Sequence, residues 1–340
     1  MMKQIGFGLA LAAAALGSLL PSGASGDELN ASPPVAVPRS AGYFDYMTVD
    51  AKMRRLLAAH SANDSLAIVD MDLGTLLKQV DLGDGAGGAG VAVDERDGKY
   101  FVGAANNHVV DINRKYMVLQ AYITMPGPVD ALAFDPSNDT LYADEDNGTH
   151  VWAINGHSDK IVATIDVPGK PEYIQYDPVT DRVYQNIDLS PSSVLVIGPG
   201  NNSVVATWLV APADKVHGLA VDSATGRVFS VGLNGELAVI DAKTGTIVTE
   251  VTVAPRVDQI AFDPGTKRVY CPSATGVLSV VQETADGATL LSSISIPRGT
   301  HTLAVDPKTH AVWISYGAPD SDYVEKLTPS VTPSPAPSGP

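Results

Sequence analysis

The chain has 340 residues, 45% of them hydrophobic and 6% aromatic, with a formal net charge of −16 and one cysteine. A single cysteine excludes a disulfide framework, an iron–sulfur cluster and a Cys-rich zinc site. The negative charge argues against general nucleic-acid binding, which needs Lys and Arg against phosphate, and the apolar content is too high for a wholly disordered chain.

In chain order, residues 1–26 read as an address. Lys3 is followed by an apolar run from Ile5 to Leu20, then by Pro21, Ser22, Gly23, Ala24, Ser25 and Gly26. A positive head, a short apolar core and a small-residue exit form the pattern of a secretory signal peptide. The run is shorter than the ~20 residues a spanning helix needs, and no cysteine follows it to take a lipid. No second run of spanning length occurs. The expectation is a periplasmic or extracellular product with no membrane span. Residues 27–33 read as a linker. Pro34–Pro38 carries Val35 and Val37 in alternation and is expected as a strand.

Beyond it the chain repeats. An apolar segment ending in Asp recurs seven times, at Asp50, Asp94, Asp135, Asp177, Asp222, Asp263 and Asp306, with spacings of 44, 41, 42, 45, 41 and 43. Seven residues after each Asp stands a large apolar residue: Leu57, Phe101, Tyr142, Tyr184, Phe229, Tyr270 and Trp313. The offset stays constant while the loops vary. In the sixth copy, Val257–Phe262, Arg268–Cys271, Val277–Val281 and Leu290–Ile296 read as four strands separated by turn residues. Four strands per ~42 residues is the period of a propeller blade. Each repeat Asp is expected to cap the first turn, and each large residue to pack between blades. Met53–His60 has helical propensity, but the ruler assigns it to the first turn and second strand of blade one. The seventh copy leaves room for one more strand, around Tyr323–Leu327, so Pro34–Pro38 is expected to supply the outermost strand of blade seven. The predicted fold is therefore all-β: a seven-bladed β-propeller of four-stranded antiparallel blades over residues 34–327, closed by an N-terminal strand. Residues 328–340 (TPSVTPSPAPSGP) read as a disordered Pro/Ser-rich tail.

The phrase Asp241-Ala-Lys-Thr-Gly245, together with "AFDP…RVY" and "AVDP…AVW", resembles the YVTN-repeat (YncE-like) β-propellers. The resemblance spans about residues 34–327. It implies a secreted or periplasmic seven-bladed ring, mostly without an assigned reaction. Related rings serve as heavy subunits of periplasmic amine dehydrogenases or as lactone hydrolases.

Five residues before each repeat Asp stands the expected start of an inner strand: Asp45, Ala89, Asp130, Glu172, His217, Asp258 and His301. Carboxylates are depleted in strands, yet four share this offset with two imidazoles. By fold analogy these positions share one face of the ring with the loops carrying His60, Asn106, His108, Asp144, Glu145, Asp146, Asn186 and Asp188. Crowded carboxylates take up protons or hold a cation. Mixed oxygen and imidazole donors suit a divalent transition metal. Asp45, His217, Asp258 and His301, on blades one, five, six and seven, form the candidate metal cluster. Lys170, Lys215, Arg256 and Arg298 lie just ahead of these positions; they pair with the rim acids or, with Asp130 and Glu172, hold an anionic ligand. The alternative is a solvated acidic rim around a water-filled channel. Cys271 reads as a buried small hydrophobe, and there is no Gly-x-Ser-x-Gly elbow and no phosphate loop. With no catalytic residue assigned, the leading reading is a non-catalytic scaffold that binds an unknown protein or small molecule through its acidic top face. The other two are a lactonase-like metal-dependent hydrolase and the propeller subunit of a periplasmic dehydrogenase.

Overall fold

The computed structural model describes residues 29–38, 42–319 and 321–330. Seven antiparallel sheets follow one another along the chain. Their first strands are Tyr46–Asp50, Val91–Asp94, Val129–Asp135, Lys170–Asp177, Val216–Asp222, Ala261–Asp263 and Leu303–Val305. These strands line the central channel, and in blades one to six three more strands step outward from each. Where inner strands of neighbouring blades converge, Gly90 N–H donates to the Asp130 carbonyl at 2.6 Å. A Cβ on Gly90 would lie 2.5 Å from that oxygen, so only glycine allows the approach.

The ring closes as expected. Val35–Val37 pairs antiparallel with Asp322–Pro329, in the register Val35↔Val324 and Val37↔Asp322. Leu29–Ala31 continues along the same edge, with Leu29 opposite Pro329. Strand structure thus reaches into the segment read as a 27–33 linker and takes Thr328 and Pro329 from the expected tail. Leu29 packs on the apolar cluster between blades six and seven, and that burial extends the pairing. The expected signal peptide, residues 1–26, lies outside the described residues, as does the tail from 331 onward. Among the described residues no helix is long and apolar enough to cross a membrane.

Arg55–His60 is a strand, so the repeat overrides the helical propensity. One strand is shorter than predicted. The inner strand of blade six spans only Ala261–Asp263, with a single bridge, Val257↔Ser273, before it. The intervening Gln259 turns its side chain onto blade one: Met47 N–H donates to Oε1 at 3.1 Å and Nε2 donates to the Met47 carbonyl at 2.8 Å.

The core lies between the blades. Each interface has its own apolar cluster, and each cluster holds the ruler residue of the preceding blade. Leu57 packs with blade two, Phe101 with three, Tyr142 with four, Tyr184 with five, Phe229 with six, Tyr270 with seven and Trp313 with one. All seven are at most 1% exposed. A blade cannot bury either of its faces alone, so stability comes from stacking. The repeat aspartates cap their turns. Asp263 Oδ1, for example, accepts from Gly265 N–H at 3.0 Å and Oδ2 from the Thr266 hydroxyl at 2.6 Å.

These aspartates have a second role that the sequence reading did not assign. All seven are buried, and four receive a cationic or imidazole side chain from the next blade. Arg54 grips Asp306 through two 2.6 Å bonds. Arg114 grips Asp50 through two at 2.7 Å. Lys267 reaches Asp222 at 2.8 Å and His310 reaches Asp263 at 3.0 Å.

Candidate functional site

Because the repeat places equivalent residues at equivalent heights, the starts of the inner strands meet at one mouth of the channel. A chamber of about 350 Å³ opens there, lined by Asp45, Ala89, Asp130, Glu172, His217 and Asp258 among others. His301 stands at its edge, with Nε2 3.9 Å from Asp258 Oδ2. The four candidate metal ligands are thus neighbours. Asp45, Asp258 and His301 each offer a donor atom within 4.8 Å of the others, and His217 Nδ1 lies 2.9 Å from Asp258 Oδ1. Glu172, Asp188 and His217 form a second such group.

The floor of the chamber was not foreseen. Tyr46 and Tyr173 stack with ring centroids 5.3 Å apart, the Tyr46 hydroxyl donates to the Tyr173 oxygen at 2.9 Å, and Gln259 Nε2 donates to that oxygen at 3.3 Å. The same three residues roof a second cavity of about 410 Å³ in the lower channel, lined largely by apolar residues such as Val93, Phe134 and Phe262. The signal was the next offset of the ruler. One residue after each mouth position stand Tyr46, Gly90, Ala131, Tyr173, Gly218, Gln259 and Thr302, and the small residues leave room for the three large ones.

Charge is unevenly matched in the chamber. Lys170 Nζ lies 2.8 Å from Glu172 Oε1 and 3.8 Å from Asp146 Oδ1. His217 faces both Asp258 and Glu172, the latter at 3.3 Å. Lys215, Arg256 and Arg298 are exposed and, unlike Lys170, do not line the chamber. Of the four basic residues Lys170 pairs with the acids, and the other three make no ion pair among the described residues. Lys215 and Arg256 have positive φ values of 52° and 64°, and their side chains stay in solvent.

The chamber carboxylates are driven apart in acidity. Burial, reinforced by the charge of Asp258, pushes Asp45 up to about 7 against the opposing pull of His301. Burial, with Asp144 and Asp45 close by, pushes Asp130 well above the ordinary carboxylate range. Asp144 is also held well above that range by burial, although the Gln185 side chain and Ala131 N–H donate to it. For Asp258 burial acts upward too, but the hydrogen bond from His217 and the charges of His217, His301 and Lys170 outweigh it and hold the group below the ordinary value. Burial lowers the basicity of His217, and its bond to Asp258 and the charge of Glu172 more than restore it. No side-chain hydrogen bond or ion pair holds the Asp45 or Asp130 carboxylate among the described residues.

Three loop candidates have structural roles instead. His60 is fully buried, stacked on Phe44 at 4.2 Å and 2.6 Å from Asp322 of the closing blade. Asn186 Nδ2 donates to the carbonyls of His217 and Gly218 at 2.8 and 3.0 Å and so fixes the backbone that carries His217. Glu145 ties its own hairpin to His150 at 2.6 Å. Cys271 is buried as expected, and burial pushes its thiol far above the range in which it would be a nucleophile.

No family model matches the chain, and no curated protein matches it in sequence. Solved structures do match in shape. A chain of Kuenenia stuttgartiensis hydrazine synthase superposes with a TM-score of 0.72 at 13% identity, over 82% of this chain and 94% of that one. A chain of a mitotic checkpoint complex superposes with a TM-score of 0.76 at 12% identity, over 96% of this chain and 99% of that one. The fold is a seven-bladed β-propeller. At these identities the likeness extends to fold alone.

Proposed function

We propose that this is a non-catalytic binding propeller of the YVTN-like kind, exported to the periplasm or beyond, whose top chamber takes a cationic group of a small molecule or of a partner protein. One observation carries the reading. Among the described residues no side-chain hydrogen bond or ion pair holds the Asp45 or Asp130 carboxylate, while the basic groups that reach the chamber, Lys170, His217 and His301 at its edge, face Glu172 and Asp258. A cation entering the chamber offsets the burial, and the repulsion adding to it, that hold protons on these acids. The exposed Lys215, Arg256 and Arg298 stand where they would meet an anionic portion of the same ligand.

The test is isothermal titration of the full chain with simple probes: an alkyl ammonium, a zwitterionic amino acid, and Mn²⁺ or Zn²⁺. Binding of the ammonium or the amino acid that falls at least tenfold in Asp130→Asn supports the reading. No binding by any probe, or binding indifferent to Asp130→Asn and Asp45→Asn, rejects it. The Asp45–Asp258–His301 group favours a second reading, a hydrolase whose divalent metal activates water. Stoichiometric metal lost in Asp258→Ala, with turnover of a lactone, would favour that one.

A further inference from the structure

At the far face of the ring the seven repeats differ in one informative way. The residue four places after each repeat Asp is Arg54, Gly98, Asp139, Asp181, Gly226, Lys267 or His310, and all seven have positive φ. In blades one, six and seven this residue reaches back to the buried Asp of the preceding blade. Where blade two has Gly98 instead, Arg114 serves Asp50. At these four seams the rule is a buried carboxylate neutralised from the next blade.

Between blades two and three the rule is inverted. The residue in the slot is Asp139. Asp94, Asp97 and Asp139 each place a carboxylate oxygen within 4.8 Å of the others. Asp94 is 0% exposed. Its Oδ1 accepts from the N–H groups of Arg96 and Asp97 at 2.9 and 3.1 Å, and its Oδ2 is buried with no partner. Arg96, half-exposed, contacts Asp97 and Asp139. His157 contacts Asp97 through Nδ1 at 3.1 Å and Asp139 through its N–H at 3.1 Å. Neither the Arg96 guanidinium nor the His157 imidazole bonds to the Asp94 carboxylate among the described residues. At the next seam Asp181 fills the slot and Asp135 Oδ2 is likewise buried without a partner, but there the Tyr176 hydroxyl donates to Asp181 at 3.2 Å and, among the described residues, no third carboxylate joins the pair. A fully buried, partnerless carboxylate oxygen beside two more carboxylates is costly unless a cation or a proton joins it.

We propose that a calcium ion takes the place of the side-chain cation at this seam, held by Asp94, Asp97 and Asp139 with water completing its shell. The donors are oxygens only, which selects a hard cation, and the irregular set suits the flexible coordination of Ca²⁺ better than the octahedron Mg²⁺ demands. With so few protein ligands the affinity falls at the weak end, a Kd of about 10⁻⁴–10⁻³ M. The ion would stitch blade two to blade three as Arg54 stitches seven to one.

The test uses the full chain carrying Asp45→Asn, so that the Asp45–Asp258–His301 group of the top chamber is disabled, melted in EDTA and in about 10 mM CaCl₂. Calcium is expected to raise Tm by about 2 °C, the mass-action shift for a ring of this size at tenfold saturation. Adding Asp94→Asn should abolish the rise. Adding Asp139→Lys should abolish it too while supplying the ammonium that Lys267 supplies elsewhere; if the Lys variant fails to fold, Asp139→Asn makes the same comparison. A calcium rise that survives both Asp94→Asn and the Asp139 variant overturns the proposal. So does the absence of any rise, which would leave a proton as the partner of Asp94.

Discussion

Asp45→Asn tests the electrostatics of the chamber most directly. Burial and the neighbouring Asp258 hold Asp45 at about 7, against about 3.9 for an unfolded aspartate. Between these values the folded chain binds more proton than the unfolded one, so stability falls as pH rises from about 4 to 7. The penalty is absent below the unfolded value and complete above the folded one. Three units at about 1.4 kcal/mol each set a ceiling of about 4 kcal/mol, and relaxation of coupled neighbours leaves about 2–4 kcal/mol. Asparagine carries no charge to desolvate. The variant should match the parent near pH 4 and exceed it at pH 8 by that amount, about 3–6 °C in Tm for a roughly 300-residue ring. Thermal melts across pH 4–8 measure the difference. A variant no more stable than the parent at pH 8, or one equally stabilised at every pH, refutes the reasoning. A saturating cationic ligand should narrow the gap by favouring the ionised carboxylate.

The seam pairs predict an effect of opposite sign. Arg54→Ala strands the buried Asp306 and should cost about 3–5 kcal/mol at neutral pH, read by urea denaturation. Burial acts upward on Asp306 but the Arg54 bonds hold it well below the ordinary carboxylate value, so the pair's contribution is full above about pH 4 and fades as acid protonates Asp306. Trp313→Ala removes the ruler residue between blades seven and one and should cost about 3–5 kcal/mol, with an unchanged denaturant slope if the ring still unfolds as a unit. His60→Ala leaves Asp322 without its imidazole partner and opens a void beside Phe44. It should destabilise by about 3 kcal/mol or more, and loss of less than about 1 kcal/mol would show that the closing blade does not depend on this contact. Val37→Asp places a charge in the buried closing strand; it should lower Tm by several degrees and promote association through the exposed edge, checked by light scattering.

Much of the ring was legible in the chain because a repeat reports its own geometry. The invariant offset from Asp50 to Leu57, and from Asp306 to Trp313, marks a turn cap and a contact between blades, and both hold in space. The same ruler brought Asp45, Asp130, Glu172, His217 and Asp258 to one chamber although they are spread over more than two hundred residues. The local helical propensity of Met53–His60 was outvoted correctly, because strand pairing on both sides buries that segment.

What the sequence determined by itself was periodicity: how many blades, which residues are equivalent, and which of them share a height. It could not determine what each side chain meets, because partners come from other blades and depend on reach and direction. The stacked Tyr46 and Tyr173 lie 127 residues apart, and only the closed ring makes them a floor. Lys170 finds a carboxylate while Lys215, at the equivalent place one blade on, points to solvent. His60 counted as a rim residue by position, yet it is buried on Phe44 and Asp322 where the ends of the chain meet. Equivalent positions receive equivalent backbone from the repeat, and the packing of unlike neighbours gives each of them a different chemistry.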